Sequence, residues 1–384
     1  MNRIFIIAIT LISLSIIKSC ITPFEPEGIS SIDNMVVIEG NILQNDTTRV
    51  VVSRSLSLNQ ENRVEYIESA TVWVESDSGV KYNAVEKRES DKVYYLINTV
   101  GIDPSLEYKL VVSIGSKKYE SNFVSIRRTP EIDSIGYSIN TDSTGLTFYV
   151  NTHDSENKTW YYMWSFTEDW EFRSNFLSLH DYNPESMSIY EITMDENRYY
   201  CWSKDVSRSI LIATTNHLNE DRVFRKPLLY VPSGNSRINY LYSMELTQIA
   251  VGRDAYGYWE NVKKNSDEIG GIFAPQPSEM AGNIRCVTIP SEKVIGYISG
   301  AVVSKKRVFF RSIDIGIYKD EKDCEMHNVG PDNPLPIDSL YKSGYDVISF
   351  FEESNESSWV IKRCVDCKVY GTKNKPSFWP NNHI

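Results

Sequence analysis

The feature that most constrains this chain is its grain: short β-branched and aromatic runs, cut at near-regular intervals by turn residues. Residues 35–38 (MVVI), 49–53 (RVVVS), 70–75 (ATVWVE), 92–97 (KVYYLI), 108–114 (YKLVVSI) and 119–124 (YESNFV) suit a pleated, half-buried surface. Gly40, Asn45-Asp46, Asp103-Pro104, Gly115-Ser116 and the triplet 77–79 (DSG) separate them, and such residues turn the chain by their backbone preferences. Short strands at this spacing suggest two stacked sheets or a small barrel. Residues 32–127 are therefore expected to form an immunoglobulin- or transthyretin-like β-sandwich.

The quartet 127–130 (RRTP) reads as a boundary, and a second β series follows at 132–139, 147–150 and 160–166 (WYYMWSF). In 238–249, Tyr240, Tyr242, Met244, Leu246 and Gln248 alternate with Leu241, Ser243, Glu245 and Thr247, which puts the first, mostly apolar set toward a core. Further strands are expected at 209–213, 294–303 and 307–313. Residues 168–198 show no clear period and read as a long insertion or loop, as do 320–339. One helix is expected over 255–269, capped by Asp254 and stopped by Gly270-Gly271, with Tyr256, Trp259 and Val262 on one face. The fold class is mainly β, with 130–384 a larger β-rich domain carrying one helix and a disulfide-stapled C-terminus.

The N-terminus reads as an address. Arg3 precedes an uncharged run over 4–17, 14 residues or about 21 Å as a helix, short of a hydrocarbon core of about 30 Å. A positive start, a short apolar stretch and a small residue before the cut describe a secretory signal over 1–19. Ile17-Lys18-Ser19-Cys20 matches a lipobox, with Lys18 a departure at the position before the small residue. Cys20 is then the lipidation site, its thiolate being the nucleophile that accepts the lipid. Residues 20–31, with two prolines, read as a tether.

The chain carries 40 basic and 51 acidic side chains, a formal charge of −11, with no basic cluster longer than 305–307 (KKR). Nucleic-acid binding needs a positive footprint, so that class of partner is not expected. Beyond Cys20 lie Cys201, Cys286, Cys324, Cys364 and Cys367. Export makes disulfides the default, and an odd number leaves at least one thiol outside any pair of bridges.

Motifs for catalysis are missing from the sequence: no nucleophile elbow, no zinc-protease helix, no phosphate loop, no dinucleotide fingerprint. The five histidines (153, 180, 217, 327 and 383) are scattered, and neither an enzyme nor a cofactor is expected. The Cys324-x-x-His327 and Cys364-x-x-Cys367 spacings match zinc-ligand spacings. The competing reading, favoured by export, is a set of disulfides between the 320–339 loop and the C-terminal segment, with no metal. Seven aromatic residues fall within the 13 positions 160–172. Tyr162, Trp164 and Phe166 suit a core; Trp170 and Phe172, in the expected loop, are candidates for ligand contact in a glycan-binding surface protein or adhesin.

Several stretches together carry a resemblance: 20–26 (CITPFEP), 256–259 (YGYW), 271–278 (GIFAPQPS), 282–284 (GNI), 294–297 (VIGY), Cys364 with Cys367, Gly371-Thr372 and 375–379 (KPSFW). In order and spacing the sequence resembles the Bacteroidota lipoproteins of the domain-of-unknown-function 4249 family. The resemblance implies a lipid-anchored outer-membrane protein, non-enzymatic, that serves as accessory or ligand-binding partner of a TonB-dependent receptor. It implies no catalytic residue.

Overall fold

A computed structural model describes residues 34–55, 64–89, 91–267, 282–316 and 324–381. The protein is mainly β, as its sequence grain predicts. The first unit is a curled sheet of thirteen strands around one core. Ten strands come from residues 36–127, and their order runs through Val124–Arg127, Glu107–Ile114, Thr71–Ser76, Lys81–Glu89, Lys92–Asn98, Thr47–Arg54 and Val36–Gly40. Strict alternation drives the burial: Val72, Val74 and Ser76 are buried on one strand while Thr71, Trp73 and Glu75 are not.

The other three strands come from far along the chain. Ile284–Cys286 pairs antiparallel with Lys117–Ser121. Val294–Ile295 pairs parallel with Val36–Gly40, and Gly300–Val302 pairs parallel with both Ile42–Gln44 and Val124–Arg127. Parallel pairs need a long crossover, and here it is more than 160 residues. Residues 284–302, read from sequence as part of the second unit, thus complete the first, and Cys286 and Ile298 sit in its core.

The second unit packs a three-stranded sheet (Ile132–Ile139, Gly145–His153, Arg222–Pro232) against a five-stranded one. The latter orders Tyr200–Val206, Tyr161–Arg173, Leu241–Ala250 and Ser304–Arg311, with Leu211–Thr214 also on Tyr161–Arg173. Residues of both sheets share one core, where Phe148 stacks on Tyr242 with ring centroids 4.7 Å apart. Tyr162, Trp164 and Phe166 are buried there as expected, and so are Tyr242, Met244 and Leu246.

The stretch 168–198 corrects the loop expectation. Tyr161–Arg173 is one strand of 13 residues, followed by a hairpin of His180–Asn183 and Ser188–Glu191. Glu168 and Glu171 broke the apolar pattern, yet both are buried and satisfied. Glu168 accepts from Arg237 Nε at 2.9 Å and Tyr242 Oη at 2.8 Å, and Glu171 from Trp379 Nε1 at 2.8 Å. Burial of a carboxylate is tolerable only with such partners.

The helix spans Arg253–Asp267. The Gly252 carbonyl accepts from the Tyr256 N–H at 2.9 Å, so Asp254 lies in the first turn rather than at the cap. Its expected stop, Gly270-Gly271, is outside the described residues. Two short helices, Ser312–Ile315 and Ile337–Lys342, add to the single one expected. The second of these and strand Met326–Val329 fall in or across the stretch 320–339 that reads as loop. With Glu356–Ile361 and Tyr345–Phe351 that strand forms a C-terminal three-stranded sheet around Trp359.

Candidate functional site

Two units meeting across the helix leave a cleft, and local chemistry builds it. Val124–Arg127 buries Ile126 and turns Arg127 outward. The link to the second unit is then locked: Thr129 Oγ1 accepts from the Ala250 N–H at 2.9 Å, and Gln248 Nε2 donates to the Pro130 carbonyl at 2.9 Å. On the helix, Tyr256 packs against Tyr161 of the second unit (5.3 Å between centroids), and Tyr258 against Tyr297 of the first (5.4 Å). Ile249, Val251, Ala255 and Ala301 form a small core between the units. The helix is therefore a wedge holding them at a set distance.

Two adjoining cavities share Arg127, Gly252 and Arg253. One, of about 320 Å³, is lined also by Glu107, Phe123, Asp254, Tyr297 and Ser299. Ser299 is 5% exposed, and its hydroxyl has no hydrogen-bond partner among the described residues. The other, of about 380 Å³, is lined also by Arg128, Lys158, Thr159, Trp160 and Tyr161. It carries four cationic side chains and no carboxylate in its lining, in a chain whose formal charge is −11.

The four cations are not equivalent. Arg128 pairs with Asp154 at 3.0 Å and Glu156 at 3.2 Å, and Lys158 pairs with Glu156 at 3.0 Å. Asp154 is buried; burial opposes its charge, but hydrogen bonds from Glu156, Lys158 and Thr159, together with Arg128, hold its carboxyl below the usual range. Those bonds shape the loop 154–159. Behind it, the Tyr162 hydroxyl donates to Asp221 Oδ2 at 2.9 Å and Thr215 Oγ1 to Asp221 Oδ1 at 2.6 Å, and burial raises the Asp221 pKa. Arg127 and Arg253, by contrast, make no ion pair with any described residue and are exposed. Their chemistry is that of an anion clamp: a planar, permanently charged fork that takes carboxylate or phosphate oxygens in pairs.

The residues singled out from sequence lie elsewhere. Cys20 is outside the described residues. Cys201 joins Cys367 and Cys324 joins Cys364, while Cys286 is a buried free thiol. Cys364 and Cys367 thus point to different partners, and the four-ligand zinc arrangement with His327 does not assemble; His327 packs its ring on Tyr345. Trp170 and Phe172, candidates for ligand contact, are 7% and 2% exposed in the core. They sit at alternate positions of a strand that outlasts its apolar pattern, so their faces are covered, and Arg237 lies over the Trp170 ring at 4.6 Å. His153 forms an exposed pair with Asp133 at 2.8 Å. The arginine cleft was missed: Arg127 and Arg128 read only as a boundary. The available signal was a basic doublet at a domain junction in an acidic chain.

Fold and site together define a two-unit, disulfide-braced β protein with a cationic cleft at its junction. The chain belongs to the family described as Domain of unknown function (DUF4249), whose model matches residues 21–307. No curated protein matches the sequence. Among solved structures, a DUF4785 family protein from Legionella pneumophila subsp. pneumophila str. Philadelphia 1 shares 9% identity with a TM-score of 0.16. The match covers 57% of this chain and 51% of that one, about half its length. Among the described residues no helix is long and apolar enough to cross a membrane.

Proposed function

We propose that the protein is a non-enzymatic binding lipoprotein, anchored to the outer membrane through Cys20, that holds a ligand in the inter-unit cleft as accessory to a TonB-dependent receptor. The observation that carries the binding role is the pair of exposed arginines, Arg127 and Arg253, without an ion pair to any described carboxylate, at a cavity of about 380 Å³. Cavities of roughly 300–1,000 Å³ with a few convergent polar groups are the usual form of small-molecule sites. Anchorage rests on the signal pattern of residues 1–20; the receptor partnership rests on the family resemblance. The rival reading, a freestanding glycan-binding adhesin, is motivated by the aromatic run and the β texture; Trp170 and Phe172 of that run are buried, and silence on a glycan array would remove its remaining support.

The test has two arms. Cys20→Ala should move the protein from the membrane fraction to the soluble one; retention in the membrane defeats the anchor. Purification of the native lipoprotein from detergent-solubilised outer membrane should bring a β-barrel receptor with it, and recovery as a lone monomer defeats the partnership.

A further inference from the structure

We infer that the cleft takes a small organic anion, with a carboxylate or phosphate between Arg127 and Arg253 and a flat or apolar body against Trp160 and Tyr161. This deepens the binding role proposed above and rests on it. The charge argument comes first. In the 380 Å³ cavity Arg128 and Lys158 are neutralised by Asp154 and Glu156, so the surplus charge is that of Arg127 and Arg253. Glu107 and Asp254 line only the neighbouring cavity, which directs an anion to the aromatic side.

A second observation is independent of charge. The Ser299 hydroxyl, buried in the wall of the adjoining cavity, has no partner among the described residues. An unpaired buried hydroxyl costs free energy, which a ligand polar group reaching across Gly252 would relieve. Arg253 also opens a helix of 15 residues, whose positive end lines both cavities.

Gly252 is the positioning residue. A Cβ there would stand 3.2 Å from Arg127 Nη2 and 3.5 Å from Nε, tighter than ordinary contact for the first. Glycine leaves the guanidinium its place over the cleft floor. The body of the ligand is limited by volume to about one or two rings. Its apolar face is supplied by Trp160 and Tyr161, both half-buried, with the Tyr161 ring held by Tyr256 and its hydroxyl by Asn216 Nδ2 at 3.1 Å.

Calorimetric titration of the full-length protein in detergent tests this with benzoate, phenyl phosphate and galacturonate, each against its neutral counterpart: benzamide, phenol and galactose. At least one anion should bind with an affinity that falls as salt rises, and its neutral counterpart should bind at least tenfold more weakly. Arg127→Ala and Arg253→Ala should each weaken that anion about tenfold or more. Their lysine variants, which keep charge but lose the fork, should recover only part. Gly252→Ala should weaken it through Arg127 alone and have no further effect in an Arg127→Ala background. Arg222→Ala, an exposed arginine that lines neither cavity, should leave binding unchanged. Equal binding of the neutral compounds, or anion binding that survives loss of both arginines, overturns the anion assignment but leaves a binding cleft. Silence of every probe overturns the assignment; if no receptor co-purifies either, the binding reading falls with it.

Discussion

Asn283 and Ile298 hydrogen-bond to each other twice: Asn283 Nδ2 donates to the Ile298 carbonyl at 2.8 Å, and the Ile298 N–H donates to Asn283 Oδ1 at 2.8 Å. One side-chain amide thus does for a loop what a neighbouring strand would do. Its own carbonyl accepts from the Asn122 N–H at 2.8 Å, so Asn283 joins the returning segment 284–302 to itself and to the first unit. This gives a physical reason for the asparagine of the 282–284 motif.

Asn283→Ala should therefore destabilise the first unit by about 2 kcal/mol, the cost of leaving two backbone groups in a partly buried site without partners. Asn283→Asp should be nearly as damaging, because a carboxylate accepts but does not donate to Ile298. Denaturant melts give the loss; unchanged midpoints in both variants would refute it.

Gly296 makes the tighter demand. It sits at φ +146°, and a Cβ would lie 2.1 Å from the Ile38 carbonyl oxygen. Gly296→Ala should cost roughly 3 kcal/mol or more, because strand Val294–Ile295 could no longer lie beside Val36–Gly40. Amide exchange should show the loss first in residues 36–38; protection equal to that of the parent protein would contradict this.

The two disulfides should separate by loop length. Cys324–Cys364 closes 40 residues and Cys201–Cys367 closes 166. On the chain-entropy estimate they stabilise by roughly 4 and 5 kcal/mol. The serine pair at 201 and 367 should show the larger drop in Tm, since it also frees the C-terminal segment whose Thr372 exchanges backbone hydrogen bonds with Trp202 at 2.8 Å each way. A larger drop from the 324/364 pair would reverse this ranking.

Asp154 predicts an acid sensitivity. Its folded pKa lies below its ordinary value of 3.8, so the native state favours the carboxylate. Its contribution is fully present above that ordinary value and is lost as pH falls through the lowered folded one. Asp154→Asn should cost about 3 kcal/mol at neutral pH and flatten the stability profile below pH of about 4. A parallel acid profile in parent and variant would rule out this role.

How much of this was legible in the sequence depended on range. The alternation at Tyr162, Trp164 and Phe166, the six runs that became strands of the first sheet, and the wedge helix within two residues of its start were all readable, because side-chain direction repeats locally with a period of 2 or 3.6. The strand through Glu168 and Glu171 was not readable, because what licenses a buried carboxylate there is Arg237, Tyr242 and Trp379, each far away in the chain.

By itself, then, the sequence determined a mainly β protein, the helix that wedges its two units, and an odd cysteine among five; these follow from local periodicity and counting. Only the tertiary structure decided that residues 284–302 return to complete the first sheet, that Cys364 and Cys367 reach in different directions, that Trp170 and Phe172 are covered, and that Arg127 and Arg253 line one cavity without an ion pair to any described residue. Parallel pairing, sulfur proximity and charge surplus all depend on which distant residues become neighbours, and no local pattern encodes that.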